Sequence, residues 1–325
     1  MREWSGFTYL CEPLVRWDGR ARTIAIGKFD ALHLAHQAIA QTAVRKAQES
    51  GSTAALFSFT PHPRLVLRGD AAYARWLTPS AERARVAREL GVEQTFVALF
   101  DRAFRTLTAS EFLRAYLVPL GAMHIVVGYN FRFGRDGAYG TDDLREVAAQ
   151  AGVGVDIVPP VHVAGRPVSS SEIRGRLAEG DVAGAAQSLG RPYRVRGRVV
   201  RGAGRGRSIG FPTANLEMLE DFVVPREGVY AVDCLIDGRI VRGAMNIGRR
   251  PTVCADGKLS LEVHLIGETV DLYGQEMTVS FLSYLRPEQK FPSVDALSRQ
   301  LAVDAAHASA LLRIQGARRE ANFLV

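Results

Sequence analysis

Residues 23–59, TIAIGKFDALHLAHQAIAQTAVRKAQESGSTAALFSF, decide the fold of the first half of the chain. A short apolar run, TIAIGKF, gives way to HQAIAQTAVRKAQES, which has a helical pattern, and then to a second apolar run, TAALFSF. Strand, helix and strand, with strands this uniformly apolar, read as a parallel sheet covered on both faces. The alternation continues to about Pro160 through a helix over residues 79–90, QTFVALF, a helix near 109–119 and HIVVGYNF. In such a sheet, ligands gather at the carboxyl ends of the strands.

Three unusual loops fall at those ends. GKFDALHLAHQ, residues 27–37, places His33 and His36 three apart at the opening of a helix, on one face and beside the positive end of its dipole. That setting suits a nucleotide phosphate. TPHPR, residues 60–64, carries His62 and Arg64 in a loop stiffened by Pro61 and Pro63. VGYNFRFG, residues 127–134, alternates Tyr129, Phe131 and Phe133 with Asn130 and Arg132, a pattern fit to wall a planar ring. A lone histidine pair is more often structural than catalytic, but three such loops at equivalent positions point to a ligand site. VSSSEIRGRLAEGD, residues 168–181, offers Ser169, Ser170 and Ser171 at a helix start with Arg174 one turn in; alone it reads equally well as a capped amphipathic helix.

The chain changes character near residue 185, which divides it into an α/β domain, 1–185, and a second domain, 186–325. YRVRGRVV, GVYAVDCLI, RIVRGAMNI, LSLEVHLI and MTVSFLSYL are short and mostly alternating, and Asp237-Gly238 marks a hairpin turn, so a small antiparallel β-barrel is expected, followed by flanking helices over residues 293–320 with Asp295 near the start. Before the barrel's second strand, RGAGRGRSIGFPTANL, residues 201–216, combines glycines that allow close backbone approach with fixed positive charge at Arg205 and Arg207. Phosphate is the expected guest, a flexible basic turn the alternative. Thr213 and Asn215, two apart in an extended segment, point the same way and could share one Mg²⁺. In LSLEVHLI the leucines and Val263 share one face, so Glu262 and His264 project from the other; Glu262 is a candidate general base, with solvent exposure as the alternative.

Composition bounds the rest. A chain of 325 residues, 47% apolar and 23% charged, suits two soluble globular domains. The first twenty residues lack an apolar signal segment and no membrane-spanning run is visible, so a cytoplasmic protein is expected. The net charge of +7 is spread along the chain and is carried almost wholly by arginine, the lysines being Lys28, Lys46, Lys258 and Lys290. Anionic small molecules account for it without nucleic acid, and no recognisable reading module or obligate protein partner is indicated. Cys11, Cys234 and Cys254 match neither a zinc site nor a disulfide framework.

These motifs together resemble bacterial bifunctional riboflavin kinase/FMN adenylyltransferases, the prokaryotic FAD synthetases, from about Thr23 to His307. GRGRSIGFPTANL, GVYAV, NIGRRPTV, LEVHL, DLYGQ and LRPEQKF follow the kinase pattern in order; GKFDALHLAHQ is similar to GNFDGVHLGHQ, FSFTPHPR to the flavin-side loop, VGYNFRFG to VGxNFxFG and VSSSEIR to ISSTxIR. The resemblance implies a Rossmann-like nucleotidyltransferase domain and a riboflavin kinase-like barrel. In the barrel, ATP and Mg²⁺ would phosphorylate the ribityl hydroxyl of riboflavin to give FMN, with Thr213 and Asn215 at the metal, Glu262 as base, Gly204, Arg205, Gly206, Arg207, Gly210 and Pro212 around ATP, and Arg286 and Phe291 near the flavin. In the first domain, FMN would attack a second ATP to give FAD and pyrophosphate. Catalytic His33, His36 and Arg174, with Gly27, Phe29, Asp30, Ser169, Ser170 and Ser171, would hold that ATP, and Phe59, Pro61, His62, Pro63, Asn130 and Phe131 would border the flavin. The alternative is a kinase whose first domain only binds or regulates. Departures from the pattern are Ala31 and Ala35 for glycine, Ser171 for threonine, Glu172 for arginine and Lys28 for asparagine; a methyl group at Ala35 is expected to crowd the nucleotide if that backbone needs positive φ or a close approach.

Overall fold

The computed structural model describes residues 2–4, 7–10, 18–202, 212–249, 259–268, 272–289, 291–293, 295–296 and 298–308. The chain divides into two compact units, Met1–Glu172 and Ile173–Val325.

The first unit is built on strands β1 (Arg2–Trp4), β2 (Phe7–Leu10), β3 (Arg22–Ile26), β4 (Thr53–Thr60), β5 (Gln94–Leu99), β6 (Ala122–Gly128) and β7 (Gly154–Val158). They form one sheet in the order β1-β2-β5-β4-β3-β6-β7, parallel throughout except for β1 against β2. The alternating and parallel plan is as the sequence predicts; the β1–β2 edge and a hairpin of β8 (His162–Val163) and β9 (Arg166–Pro167) are additions to it. Helices α1 (Leu34–Ser50), α2 (Pro63–Arg68), α3 (Ser80–Glu89), α4 (Arg102–Arg105), α5 (Ala109–Phe112) and α6 (Thr141–Gln150) join the strands. Uniformly apolar strands are explained by burial on both faces: Ile24, Ile26, Phe57 and Phe96 enter one core, whereas Ala25, Leu56 and Val126 enter another with Ile39 and Ala40 of α1. Between β3 and β6 the chain reverses its direction of travel across the sheet, which opens a crevice at their carboxyl ends.

A strained turn follows β3. Phe29, Ala31 and Leu32 have φ of 50°, 84° and 44°, a left-handed run that no glycine relieves. Buried hydrogen bonds hold it: the Asp30 carboxylate accepts from the Leu77 N–H at 2.7 Å, the Ala31 N–H donates to Thr78 Oγ1 at 2.8 Å, and that hydroxyl donates to the Phe29 carbonyl at 3.2 Å. Ala35 is different. It lies in α1, outside the positive-φ residues, so the expected backbone strain falls on Ala31 instead.

The second unit begins within α7 (Ser170–Glu179) and continues through α8 (Val182–Leu189) into strands β10 (Tyr193–Val200), β11 (Thr213–Met218), β12 (Gly228–Ile236), β13 (Arg239–Arg249), β14 (Leu259–Leu265) and β15 (Glu276–Arg286). These close into the expected antiparallel barrel, in the order β10-β11-β14-β13-β12-β15. Asp237 (φ 46°) and Gly238 (φ 79°) make the two-residue turn between β12 and β13 that their sequence predicts. Leu261, Val263 and Leu265 are buried, and Ser260, Glu262 and His264 alternate with them on the other face. Residues 295–296 and 298–308 are helical, as the sequence predicts for that region.

Ala31→Gly is expected to stabilise the first unit by about 1 kcal/mol, because glycine adopts φ near 84° without the Cβ penalty. Trp4, Trp17 and Trp76 are the three tryptophans and all lie in this unit, so tryptophan fluorescence in a urea titration reads its midpoint directly. An unchanged or lower midpoint would contradict the assignment of strain to Ala31.

Candidate active sites

A cavity of about 650 Å³ opens at the carboxyl ends of β3, β4 and β6. It gathers segments far apart in sequence: Gly27, His33 and His36; Phe59, His62 and Pro63; Asn130 and Phe131; and Ser169, Ser170 and Ser171 all line it. Ala35 lines it too, through the first turn of α1. Phe29, Asp30 and Pro61 stand behind the wall. Phe29 is fully buried and meets the His36 ring edge to face at 5.2 Å, Asp30 anchors the turn described above, and Pro61 follows a cis peptide bond at Thr60.

Local chemistry explains each placement. His33 caps α1, its Nδ1 accepting from the His36 N–H at 3.3 Å, and the two imidazoles stack with centroids 3.7 Å apart. Ser170 Oγ donates to the Asp30 carbonyl at 2.6 Å, which ties the start of α7 to the turn that aims the histidines. His62 caps α2 by accepting from the Arg64 N–H at 3.1 Å, and its ring packs on Tyr73 and Trp76. Arg64, Tyr73 and Ser171 form a polar triangle at the wall, with Tyr73 and Ser171 hydroxyls 3.0 Å apart and the Arg64 guanidinium bonded to both. Serine therefore supplies the hydroxyl at a position where the family pattern has threonine.

The wall has two characters. Phe59, Phe100, Phe104, Phe112, Phe131 and Phe133 make an aromatic side, with Phe131 and Phe133 stacked at 5.4 Å. Lys28, Arg64, Arg68 and Arg132 add cationic groups, and Asp136, already bonded to Arg105 at 2.8 Å, is the carboxylate that lines the cavity. Lys28 remains exposed toward the opening. Enclosure by the surrounding protein, then the fields of Arg64 and Arg68, hold its ammonium below the usual lysine range, with Asp30 acting in the opposite direction. Behind the wall, the fully buried Arg83 donates to Ser58 Oγ at 2.5 Å and to the Phe59 carbonyl at 3.3 Å, and stacks on Trp76 at 4.2 Å. Ser58 Oγ in turn donates to the Lys28 carbonyl at 2.8 Å. Arg83, Tyr73 and Arg68 carry no local motif, and only the spacing of Arg64 and Arg68 on one helical face signals them in the sequence.

Arg174 lies one turn along α7 from Ser170, past the division between the units at Glu172 and Ile173.

On the barrel, strand register assembles a second site. Asn215 pairs with Glu262 between β11 and β14, and Glu262 pairs with Asn246 between β14 and β13, so three polar side chains stand in one cross-strand row. Thr213 lies opposite His264 one step along the same face. Ser260 Oγ donates to Glu262 Oε1 at 2.9 Å. His264 Nδ1 is 3.0 Å from the Pro212 carbonyl, which can only accept, so Nδ1 carries the proton. Asn246 Nδ2 donates to Glu288 at 3.4 Å. Any side chain at Gly202 would fall on the Asn215 carboxamide, which accounts for glycine there. Gly204, Arg205, Gly206, Arg207 and Gly210 lie outside the described residues. Arg286 makes a bidentate pair with the buried Asp304, Nη2 to Oδ2 at 2.7 Å, and its guanidinium lies 5.6 Å from the Phe291 ring.

Thr213, Asn215 and Glu262 offer oxygen donors, which suit a hard divalent cation. Among the described residues no group of three His, Cys, Asp or Glu side chains could hold a metal ion, so a cation here would take further ligands from phosphate and water. Cys234 is buried in the barrel, which pushes its thiol pKa up.

A family model described as riboflavin kinase matches residues 189–312, and one described as FAD synthetase matches residues 16–172. A Listeria monocytogenes protein named bifunctional riboflavin kinase/FMN adenylyltransferase is 36% identical over 298 residues, 91% of this chain and 95% of its own. One of the same name from Pseudomonas fluorescens is 39% identical over 298 residues, covering 91% and 95%. A solved structure titled macrolide-efflux protein, from Streptococcus pneumoniae, has a TM-score of 0.85 and 31% identity, and covers 93% of this chain and 98% of its own. Among the described residues, no helix of this chain is long and apolar enough to cross a membrane.

Arg83→Met is expected to destabilise the first unit by about 2 to 4 kcal/mol, since it strands polar partners at Ser58 and Phe59 in the interior. Arg83→Lys should recover part of that loss. The urea midpoint by tryptophan fluorescence measures both, and a midpoint indifferent to Arg83→Met would deny the buried relay its role.

Proposed function

The chain belongs to the bifunctional riboflavin kinase/FMN adenylyltransferase family, and from that membership we propose how its own residues divide the work. The protein phosphorylates riboflavin with ATP to FMN, then adenylylates FMN with a second ATP to FAD, releasing pyrophosphate. Matches to both halves favour two activities over a kinase with a non-catalytic first domain.

The kinase reaction belongs to the barrel row. Riboflavin's ribityl hydroxyl is neutral and must lose a proton as its oxygen bonds to the γ-phosphorus of ATP, whose bond to the bridging oxygen breaks to release ADP. Glu262 takes that proton, oriented by Ser260, while Asn215 and Asn246 flank its carboxylate. Thr213 and Asn215 would hold the divalent ion, Mg²⁺ in this reading, which would supply positive charge to the transferring phosphoryl group. Arg205 and Arg207, outside the described residues, supply fixed positive charge for the phosphates. Arg286, fixed by Asp304, and Phe291 border the flavin.

Adenylyl transfer belongs to the cavity. The FMN phosphate, whose second pKa is about 6, is already largely dianionic at neutral pH, so no strong base is required. His33, His36 and the serines that open α7 bind and neutralise the triphosphate, and the start of α1 contributes its dipole. The phenylalanine side, with His62, Pro63 and Asn130, borders the isoalloxazine. One observation carries this reading: a single cavity unites four sequence-distant motifs into an aromatic side and a cationic side.

The test is chromatography of riboflavin incubated with the full chain and MgATP, where FMN followed by FAD is expected. Glu262→Gln should slow FMN formation about a hundredfold or more, within the range expected for a lost general base. It should leave conversion of supplied FMN to FAD intact. Gly202→Ala, by displacing Asn215, should likewise cut the first reaction about a hundredfold and spare the second. Loss of both reactions in Glu262→Gln, or of neither, would refute the division.

A further inference from the structure

One charge arrangement in the cavity is left unused by that division. Lys28 follows Gly27 just beyond the carboxyl end of β3, and Arg64 and Arg68 stand four apart on α2, just beyond the end of the neighbouring β4. All three line the cavity. The carboxylate nearest in effect, Asp30, is buried and committed to the Leu77 and Thr78 N–H groups, and Asp136 is bonded to Arg105. Cations gathered on adjacent strand ends repel one another, and the field of Arg64 and Arg68 on the Lys28 ammonium registers that repulsion. An entering anion relieves it. The Lys28 backbone is a fixed anchor for this purpose, since its carbonyl is held by Ser58 and Ser58 by the buried Arg83.

We propose that Lys28, with Arg64 and Arg68, holds the phosphate of FMN and so makes the adenylyl-transfer site discriminate FMN from riboflavin. The inference rests on the assignment of the ATP triphosphate to His33, His36 and the start of α7. With that group placed, the other reacting anion is the flavin phosphate, and the trio occupies the side of the cavity from which the aromatic wall begins: α2 also carries Pro63, and β4 ends beside Phe59. His33, His36 and Ser170 are linked instead to the turn around Asp30, and Ser171, hydrogen-bonded to Arg64 at 3.3 Å, stands where the two groups meet. In the reaction an oxygen of the FMN phosphate forms a bond to the α-phosphorus of ATP. The bond from that phosphorus to the bridging oxygen breaks, and its electron pair leaves with pyrophosphate. No proton need move if the nucleophile arrives as a dianion, and a cationic seat selects that form. Asparagine, the residue of the family pattern at position 28, supplies no charge, so this chain places an additional cation at the nucleophile.

Full-length Lys28→Asn, Lys28→Met and Lys28→Arg chains test the assignment. FAD formation is measured with FMN and MgATP varied separately, and the reverse reaction with pyrophosphate varied against FAD. Lys28→Asn and Lys28→Met should raise KM for FMN about tenfold or more, the scale of one lost charge-assisted hydrogen bond. KM for ATP and for pyrophosphate should stay within about twofold, Lys28→Arg should recover most of the FMN affinity, and inhibition of FAD formation by riboflavin should be unchanged in strength. An unaltered tryptophan-fluorescence midpoint certifies folding of each variant. A rise in KM for ATP or pyrophosphate in place of FMN would hand the trio to the nucleotide and overturn the proposal, as would kinetics indifferent to Lys28→Asn. If the unmutated chain made no FAD, the assignment of adenylyl transfer to the cavity would fall first and take this proposal with it.

Discussion

The left-handed turn at Phe29–Leu32 is the constraint on which the first unit's site depends. It reverses the chain abruptly after β3, so that Lys28 precedes it at the cavity wall and His33 follows as the cap of α1. Such a run without glycine survives only where its surroundings over-determine it. Here they do: Asp30 grips the Leu77 and Thr78 amides, Thr78 grips the turn from both sides, and Ser170 donates to the Asp30 carbonyl. Buried hydrogen bonds of this kind contribute about 1 kcal/mol each, and those to charged groups more, enough to offset left-handed strain of about 1 to 2 kcal/mol per residue. The same bonds align the starts of α1 and α7 at the cavity wall, where the proposed triphosphate site lies.

Much of this was legible in the sequence because it is local. The step from strand to helix to strand over residues 23–59 is a matter of periodicity, and the strand-end loops are marked by residues that make poor elements and good caps, such as His62 between two prolines. The facing of Glu262 follows from simple alternation in LSLEVHLI, and the Asp237-Gly238 turn from its demand for positive φ.

What the sequence hid is set by contacts between distant segments. Asn246 joins the Glu262 row only because β13 pairs with β14 in one register, and a shift of one residue would turn it to the opposite face. Tyr73 reaches the cavity from a short irregular segment through its hydroxyl, and Arg83 supports the wall from a helix whose own pattern looks ordinary. Motif resemblance also locates a residue without orienting it. Phe29 and Asp30 belong to the GKFDALHLAHQ pattern, yet both are buried behind the residues that line the cavity. Of the two alanines that replace glycine, the sequence could not say which one meets positive φ; the answer required the turn, where Ala31 is left-handed and Ala35 is already helical.

On the proposed division of work, the two sites differ in charge in the way their nucleophiles require. A neutral hydroxyl gains nucleophilicity as it sheds a proton, and the barrel row accordingly carries Glu262, with Glu288 hydrogen-bonded to the neighbouring Asn246. A phosphate dianion needs no base but must be brought against another polyanion, and the cavity answers with imidazoles, guanidinium groups, an ammonium and the N-terminal ends of α1 and α7, while Asp136, the one lining carboxylate among the described residues, is paired with Arg105. A carboxylate added to the cavity would repel both substrates, and a cation trio placed over the barrel row would stabilise Glu262 as a carboxylate and weaken it as a base. The arginine-rich composition and net charge of +7 therefore describe the chain only on average. The proposed functions follow from where carboxylates are placed and where they are withheld.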